Sequence, residues 1–369
     1  MFECLANLNQ NSLQIVCVYI QYKKIRKVVM KKISIFIVYM LTTCFTCVLL
    51  SGLEQFWQPH FSIIVSSYNY GHFLPDTIES VLSQKYKYWE LILVNDGSTD
   101  NTLTVMQEYA KKDKRIKILN QKNQGLSIAR NNAMKIANGD YYWFVDADDF
   151  IDKDALVQLS RKIKKTEYPD IVSFWIQPID VYKNKLAKGF YEKLPSEFSH
   201  KENEVFLGRD LSFSILYYYP VTSGKQVYKR TFLQYNDIQF IPKLIFEDDV
   251  FFMTSLQANA RGTTIRKALY YKRSHSKSIV ANKGKHYASV IKLPMYIYSE
   301  SKRIGGKEEI LRELFKYYFD GVFVKYPNDK KYLPNLKALA DWINKQTQDD
   351  FWQSNYKRIT DFIRQQEEN

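Results

Sequence analysis

Beyond position 47 the chain has no cysteine. All four, Cys4, Cys17, Cys44 and Cys47, lie at the start of a 369-residue sequence. A disulfide framework or a cysteine-ligated metal in the main body is thereby excluded. There is no internal repeat and no low-complexity linker. Also missing are an RNA-binding aromatic motif, zinc-finger spacing and a helix-turn-helix signature. Their absence argues against nucleic acid as a partner, although the formal net charge is +14. A basic excess of that size suits another anionic partner, such as an acidic membrane face or a phosphate-bearing ligand.

What is present is apolar and aromatic. Apolar residues make up 46% and aromatics 15%, with 28 Tyr and 23 Phe. A sizeable core, many ring contacts and an aromatic-lined cleft are expected. The length allows one large domain with additions or two ordinary domains.

Ile33 to Leu53 is a run of 21 residues without a charge. At a rise of roughly 1.5 Å per residue it is just long enough to cross a bilayer. The preceding "KKIRKVVMKK" is strongly basic, which favours an N-terminus in the cytoplasm. The expectation is a membrane helix over 33–53 behind a basic tail, together spanning residues 1–57. Two other readings stay open. Translation from Met30 would make "MKKISIFIVYMLTTCF" resemble a signal-peptide beginning, or the first 50 or so residues are not expressed.

From Phe61 short apolar runs alternate with amphipathic stretches. "FSIIVSS", "WELILVND", "RIKILN", "DYYWFVDAD" and "DIVSFWI" read as strands. "LPDTIESVLSQ", "NTLTVMQEYAKK", "GLSIARNNAMKIANG" and "KDALVQLSRKIKK" read as helices between them, with Pro75 tolerated in a first turn and Thr99 or Asp100 able to cap the second. The alternation predicts an α/β fold, a mostly parallel, Rossmann-like sheet flanked by helices. Ligands in such sheets sit beyond the carboxyl ends of the strands. "SSYN", "NDGSTD" and "DADD" each follow a strand end, so they are expected to converge on one cleft. From about Tyr287 the chain reads as a helical appendage.

Two local patterns admit two readings each. In "DADDF", Asp146 and Asp148 are two apart at a strand end, and alternate residues of extended chain share a face. Paired carboxylates there can hold Mg²⁺ or Mn²⁺ bridged to phosphate oxygens; the alternative is helix capping by Asp148 or Asp149. In "VNDGSTD", Asp96 can accept from a base N–H beside a glycine that permits close backbone approach; the alternative is an ordinary turn.

The order of the motifs is more specific than any one of them. "SIIVSSYNYGHFLPDTIESVLSQ", "ELILVNDGSTDNT" and "RIKILNQKNQGLSIARNNAMKIANGDYYWFVDADD" together resemble the nucleotide-sugar half of family 2 glycosyltransferases over about Phe61 to Ile151. The resemblance implies the A-type glycosyltransferase fold. It places Ser66 and Tyr68 at the base pocket, although the family usually has proline where Ser66 stands. It gives Asp96 the base, typically uracil, and puts Arg130 near the nucleotide. Asp146 would face the ribose and the metal's water shell, and Asp148 would ligate Mn²⁺ or Mg²⁺. Asp149 is left as a helix-start residue. Further on, "FEDDVFF" resembles the family's Glu-Asp-x-x-Phe, which Glu247, Asp248 and Phe251 match. Asp248 is then the candidate base for an inverting transfer, with Asp249 its nearest rival and Glu247 beside the substrate. "YYKRSHSKSI" resembles the family's Arg-to-Ser-Ile element. It offers Arg273 to the diphosphate, with His275 or Lys277 assisting; a basic surface loop is the alternative.

The resemblance implies an inverting, metal-dependent transferase moving a sugar from a nucleotide-diphospho-sugar, UDP-linked by family habit. The acceptor would be a glycan or a lipid-linked chain of a surface polysaccharide. Transfer to a polyprenyl phosphate and a non-catalytic sugar-nucleotide binder are the rival readings. The expected layout is a catalytic domain over 58–285, divided at 151/152 into nucleotide-sugar and acceptor halves, then a helical region over 286–369. The enzyme is expected to be membrane-associated, with its catalytic body on the cytoplasmic face.

Overall fold

The computed structural model describes residues 21–22, 57–180, 185–186, 204–210, 223–275, 286–324, 329–346 and 349–368. The chain divides into two compact units, Met1–Gln58 and Pro59–Asn369, and the second is described below. The expected membrane helix over 33–53 lies outside the described residues. Among those described, no helix is long and apolar enough to cross a membrane.

In chain order the unit begins β1 (Phe61–Ser67), α1 (Leu74–Leu82), β2 (Trp89–Asp96), α2 (Thr102–Lys112), β3 (Ile116–Gln121), α3 (Leu126–Ile136) and β4 (Tyr141–Asp146). A two-residue β5 (Phe150–Ile151), α4 (Ala155–Lys165) and β6 (Ile171–Asp180) follow. Next come the short β7 (Lys185–Leu186) and β8 (Phe206–Leu207), then β9 (Gln226–Lys229), α5 (Arg230–Tyr235), α6 (Glu247–Gln257) and β10 (Arg261–Ser274). Four helices close the chain: α7 (Tyr287–Arg303), α8 (Glu308–Val324), α9 (Leu333–Asn344) and α10 (Asp350–Glu368).

β1 and β2 are apolar along almost their whole length because helices cover both faces of a parallel sheet; every residue of β2 is buried. α3 lays Ala129 and Ala133 against the same core as Ile64, Ile92 and Val94. Small side chains there let the helix approach the strands closely.

The strands form one sheet in the order β3-β2-β1-β4-β9-β6-β10-β5. β3, β2, β1 and β4 are parallel, as the alternating pattern predicts. The second half is mixed, which corrects the expectation of a mostly parallel sheet. β9 enters antiparallel between β4 and β6, and β5 pairs antiparallel with β10. A strand that comes from far along the chain is not bound by the right-handed crossover that orders consecutive β-α-β units.

Helices α7 and α8 are not independent of the sheet. Leu293, Ile297 and Leu314 belong to the same core as Phe144, Phe240 and Phe251. Their other faces join α9 and α10 in a second core around Phe315, Leu336 and Trp352.

Candidate active site

Strand register sets the floor of the site. Ser66 lies opposite Asp146, Ser67 opposite Asn95, and Asp96 opposite Gln121. The carboxyl ends of β1, β2, β3 and β4 are therefore level, and the loops after them meet. Asn69 explains the Tyr-Asn that follows β1. It takes the left-handed conformation, φ 62°, which asparagine tolerates better than most residues. Its Oδ1 accepts from the Thr99 N–H at 2.7 Å, and its own N–H donates to Ser98 Oγ at 3.0 Å. The first loop is thus bolted to the second. Tyr68, beside it, is 46% exposed and available to a ligand.

Asp96 is buried and arranges its own surroundings. Its Oδ1 accepts from Gln121 Nε2 at 2.8 Å and the Gln124 N–H at 2.9 Å, and its Oδ2 from the Gly125 N–H at 2.8 Å. It shapes the entrance to α3 as well as the expected base pocket. Gly97 next to it has φ +73°, and a Cβ there would lie 2.6 Å from the Asn123 amide nitrogen. Gly97→Ala is expected to cost about 1–3 kcal/mol and to weaken nucleotide binding. Chemical denaturation and UDP titration read the two effects, and an unchanged denaturation midpoint would show the turn to be more pliable than this.

The acidic cluster is gathered by a turn, not by strand alternation. β4 stops at Asp146, and the Asp149 N–H donates back to the Asp146 carbonyl at 3.1 Å. Oxygens of Asp146, Asp148 and Asp149 lie within 4.8 Å of one another. Asp149 is not a helix-start residue, which corrects the expectation; Asp154 occupies the cap position of α4. Asp149 is 1% exposed and ties the turn to β10. Its Oδ2 accepts from the Tyr270 hydroxyl at 2.6 Å and its Oδ1 from the Arg273 N–H at 2.8 Å. Tyr270 in turn accepts from the Asp146 N–H at 3.2 Å. Burial, then repulsion by Asp148 and Asp146, pushes the Asp149 carboxyl well above the usual carboxylate range. Burial and Asp146 raise Asp148 likewise, with His275 opposing. Carboxyls driven upward by one another are a donor set that a divalent cation would relieve, so these residues fit an oxygen-ligated metal.

Arg273 is engaged with the turn that carries Asp148 and with the start of α1. Its Nη1 pairs with Asp76 Oδ2 at 2.6 Å, its Nη2 donates to the Phe73 carbonyl at 3.2 Å, and its Nε donates to the Asp148 carbonyl. Three of its five N–H donors thus hold the turn and the loop after β1. His275 Nε2 lies 2.8 Å from Asp148 Oδ2. Lys277 lies outside the described residues.

Arg130 is almost fully buried and stands between two carboxylates. Its Nη1 meets Glu247 Oε1 at 2.6 Å and its Nη2 meets Asp146 Oδ1 at 2.9 Å. The guanidinium therefore joins the end of β4 to the first turn of α6. Burial works against its charge, but Glu247, Asp146 and Asp248 outweigh that and raise its pKa. Burial pushes the Glu247 carboxyl up to about 7, Arg130 opposing and the neighbouring Asp248 charge adding. Glu247 is 6% exposed and serves as a partner of Arg130. Asp248, next on the helix, is less buried and acts electrostatically on both.

A pH dependence follows for Glu247. Its folded pKa is about 7 against the ordinary 4.5. Between those values the native chain keeps a proton that the unfolded chain has lost. Stability is therefore highest below the unfolded value and falls as pH rises through the window. Thermal midpoints from pH 5 to 8 should fall more steeply for the parent chain than for Glu247→Gln; parallel curves would refute the assignment.

Sequence reasoning missed Tyr270 and Tyr70. Burial, then Asp148, Asp146 and Asp149, raises the Tyr70 hydroxyl strongly, which places it beside the acidic cluster. Its signal was the second tyrosine of "YNYG". Tyr270 carried none, since its partners lie more than 120 positions away.

Residues 62–218 match the family model for glycosyl transferase family 2. Fold and match point the same way: over residues 62–218 the chain is similar to glycosyl transferase family 2, and the relatives it matches are named as glycosyltransferases. Among similar proteins is EpsH of Bacillus subtilis, named as a glycosyltransferase, 30% identical over 60% of this chain and 63% of its own length. TarS of Staphylococcus aureus, named a poly(ribitol-phosphate) β-N-acetylglucosaminyltransferase, is 27% identical over 77% of this chain and 48% of its own. The crystal structure of S. aureus TarS 1-349 superposes with a TM-score of 0.59 at 25% identity, covering 77% of this chain and 80% of that one. The same TarS fragment with UDP-GlcNAc gives 0.58 at 24%, with the same coverage. The chain spans less than two thirds of the length of these curated relatives.

Proposed function

We propose that this chain is an inverting, metal-dependent glycosyltransferase. It moves a sugar from a nucleotide-diphospho-sugar to a glycan or lipid-linked acceptor in cell-surface polysaccharide synthesis. The observation that carries the proposal is the Arg130 bridge. It sets the helix bearing Asp248 against the strand end bearing Asp146, so a metal-type carboxylate cluster and the segment carrying a candidate base are held close together.

The nucleotide lies over the ends of β1 and β2, with Ser66 and Tyr68 beside the base and the Asp96 loop beneath it. Uridine is supported by the UDP-GlcNAc complex of TarS, and surface polysaccharide by the acceptor in that relative's name. Asp148 and Asp146 would hold Mn²⁺ or Mg²⁺. When bound, such an ion supplies positive charge that offsets the departing diphosphate. Asp248 takes the acceptor hydroxyl proton as that oxygen attacks the anomeric carbon, and the bond to the diphosphate breaks on the opposite face. Arg273 keeps the turn carrying Asp148 in place and leaves charge neutralisation to the cation.

Titration of the full chain with UDP, with and without Mn²⁺, tests the site. Tight binding is expected only with metal, and Asp148→Ala is expected to lose at least tenfold of the metal-dependent part. Metal-independent binding, or none with any nucleotide sugar of a panel, would sink the proposal. Membrane association with the catalytic body in the cytoplasm belongs to the same reading, because activated sugars are made there; protease protection of the body in intact cells is the expected result.

A further inference from the structure

We propose that Tyr270 is a positioning residue that keeps Asp149 out of the metal's coordination, and so makes capture of the ion depend on the diphosphate. The inference rests on the metal-dependent reading above and gives the third acid of the cluster a part of its own.

Three carboxylates reach one place, with an oxygen from each within 4.8 Å of the others. They are not equally available. Asp146 gives Oδ1 to Arg130, and Asp148 has Oδ2 at the His275 ring; both acids are half-buried. Asp149 is fully buried, and both its oxygens accept hydrogen bonds. Oδ2 takes the Tyr270 hydroxyl at 2.6 Å and Oδ1 the Arg273 N–H at 2.8 Å. The whole carboxylate is thereby committed to β10.

Tyr270 is built to hold its bond. It is fully buried, and its backbone pairs with Ile151 on one side and Ile176 on the other. Its ring lies against the backbone at Gly224, where an added Cβ would come within 2.4 Å of Cζ. The Gly224 carbonyl is itself fixed by Trp143 Nε1 at 2.9 Å. The hydroxyl accepts from the Asp146 N–H at 3.2 Å, which leaves its one proton for Asp149.

Two carboxylates suit an ion shared with a ligand's phosphates, whereas each further charged ligand makes a site that the protein fills alone. With Asp149 held back, Asp146 and Asp148 bind the ion weakly until a diphosphate adds its oxygens. The ion then enters with the nucleotide and leaves with it. Removing the hydroxyl strands a buried carboxylate oxygen, which costs free energy until it finds a partner. An ion on Asp146 and Asp148 supplies one.

The test is titration of the full chain with Mn²⁺, read by the electron paramagnetic resonance of the free ion, with and without UDP. The parent should bind Mn²⁺ roughly tenfold or more tightly with UDP than without it. Tyr270→Phe should gain about tenfold in affinity without UDP, and adding Asp149→Asn should abolish the gain. A residue that merely supports the ligands gives the opposite result, because losing such a partner typically lowers metal affinity about 10–100-fold. Lower or unchanged UDP-free affinity in Tyr270→Phe therefore overturns the inference, as does a parent that binds Mn²⁺ equally well without UDP. Either result leaves metal dependence standing. Failure of the parent to bind Mn²⁺ even with UDP overturns both. Should Tyr270→Phe not fold, Asp149→Asn alone decides. It should lose far less Mn²⁺ affinity in the presence of UDP than Asp148→Ala, and an equal loss would make Asp149 a ligand already.

Discussion

Asp248→Asn is expected to lower sugar transfer by about 10²–10⁴-fold while UDP binding changes little. The substitution keeps the shape of the side chain and removes its capacity to take a proton. Asp248 sits in the first turn of α6, where the helix dipole favours a carboxylate. It is less buried than Glu247 and next to it in the chain. Glu247 pairs with Arg130 and has a poor claim to the acceptor proton. Asp249 donates its N–H to Asp248 Oδ1 at 3.2 Å and is the control: Asp249→Asn should lose far less. UDP release from a donor sugar, read beside UDP calorimetry, decides. A larger loss in Asp249→Asn, or unchanged turnover in Asp248→Asn, would move the base elsewhere.

Arg130→Met is expected to be the most destabilising single substitution at the site. It would leave Glu247 and Asp146 facing each other with the cation between them gone. Removing one partner of a buried pair typically costs about 3–5 kcal/mol. For a domain of this size that corresponds to a fall in melting temperature of roughly 6–15 °C. Arg130→Met combined with Glu247→Met should recover part of the loss, because the second change removes a stranded buried charge. A double variant no more stable than the single one would show that Arg130 contributes mainly by packing, for example against the Phe240 ring 5.0 Å away.

What the sequence made legible and what it hid differ in contact distance along the chain. β1, β2 and β3 could be read from apolar runs because each strand's burial is written in its own residues. The meeting of their loops followed from the rule for parallel sheets. Gly97 was visible as turn chemistry. Asp149 was misread because its neighbours in sequence point to a helix start, while its partners Tyr270 and Arg273 lie 121 and 124 positions away. Arg130 was placed near the nucleotide, but its principal partner is 117 positions distant. β9 was not foreseen, because four residues without periodicity give no warning of insertion into the middle of a sheet.

That inserted strand decides how the enzyme can move. β9 pairs Tyr141 to Trp143 on one side and Ile171 to Ser173 on the other. It is a seam sewn between the parallel β3-β2-β1-β4 half of the sheet and the mixed half. Swinging the β4 side away from the β6 side as rigid bodies would tear one of these ladders. Closure over a ligand is therefore left to the loops at the strand ends, and the sheet beneath them acts as a fixed anvil.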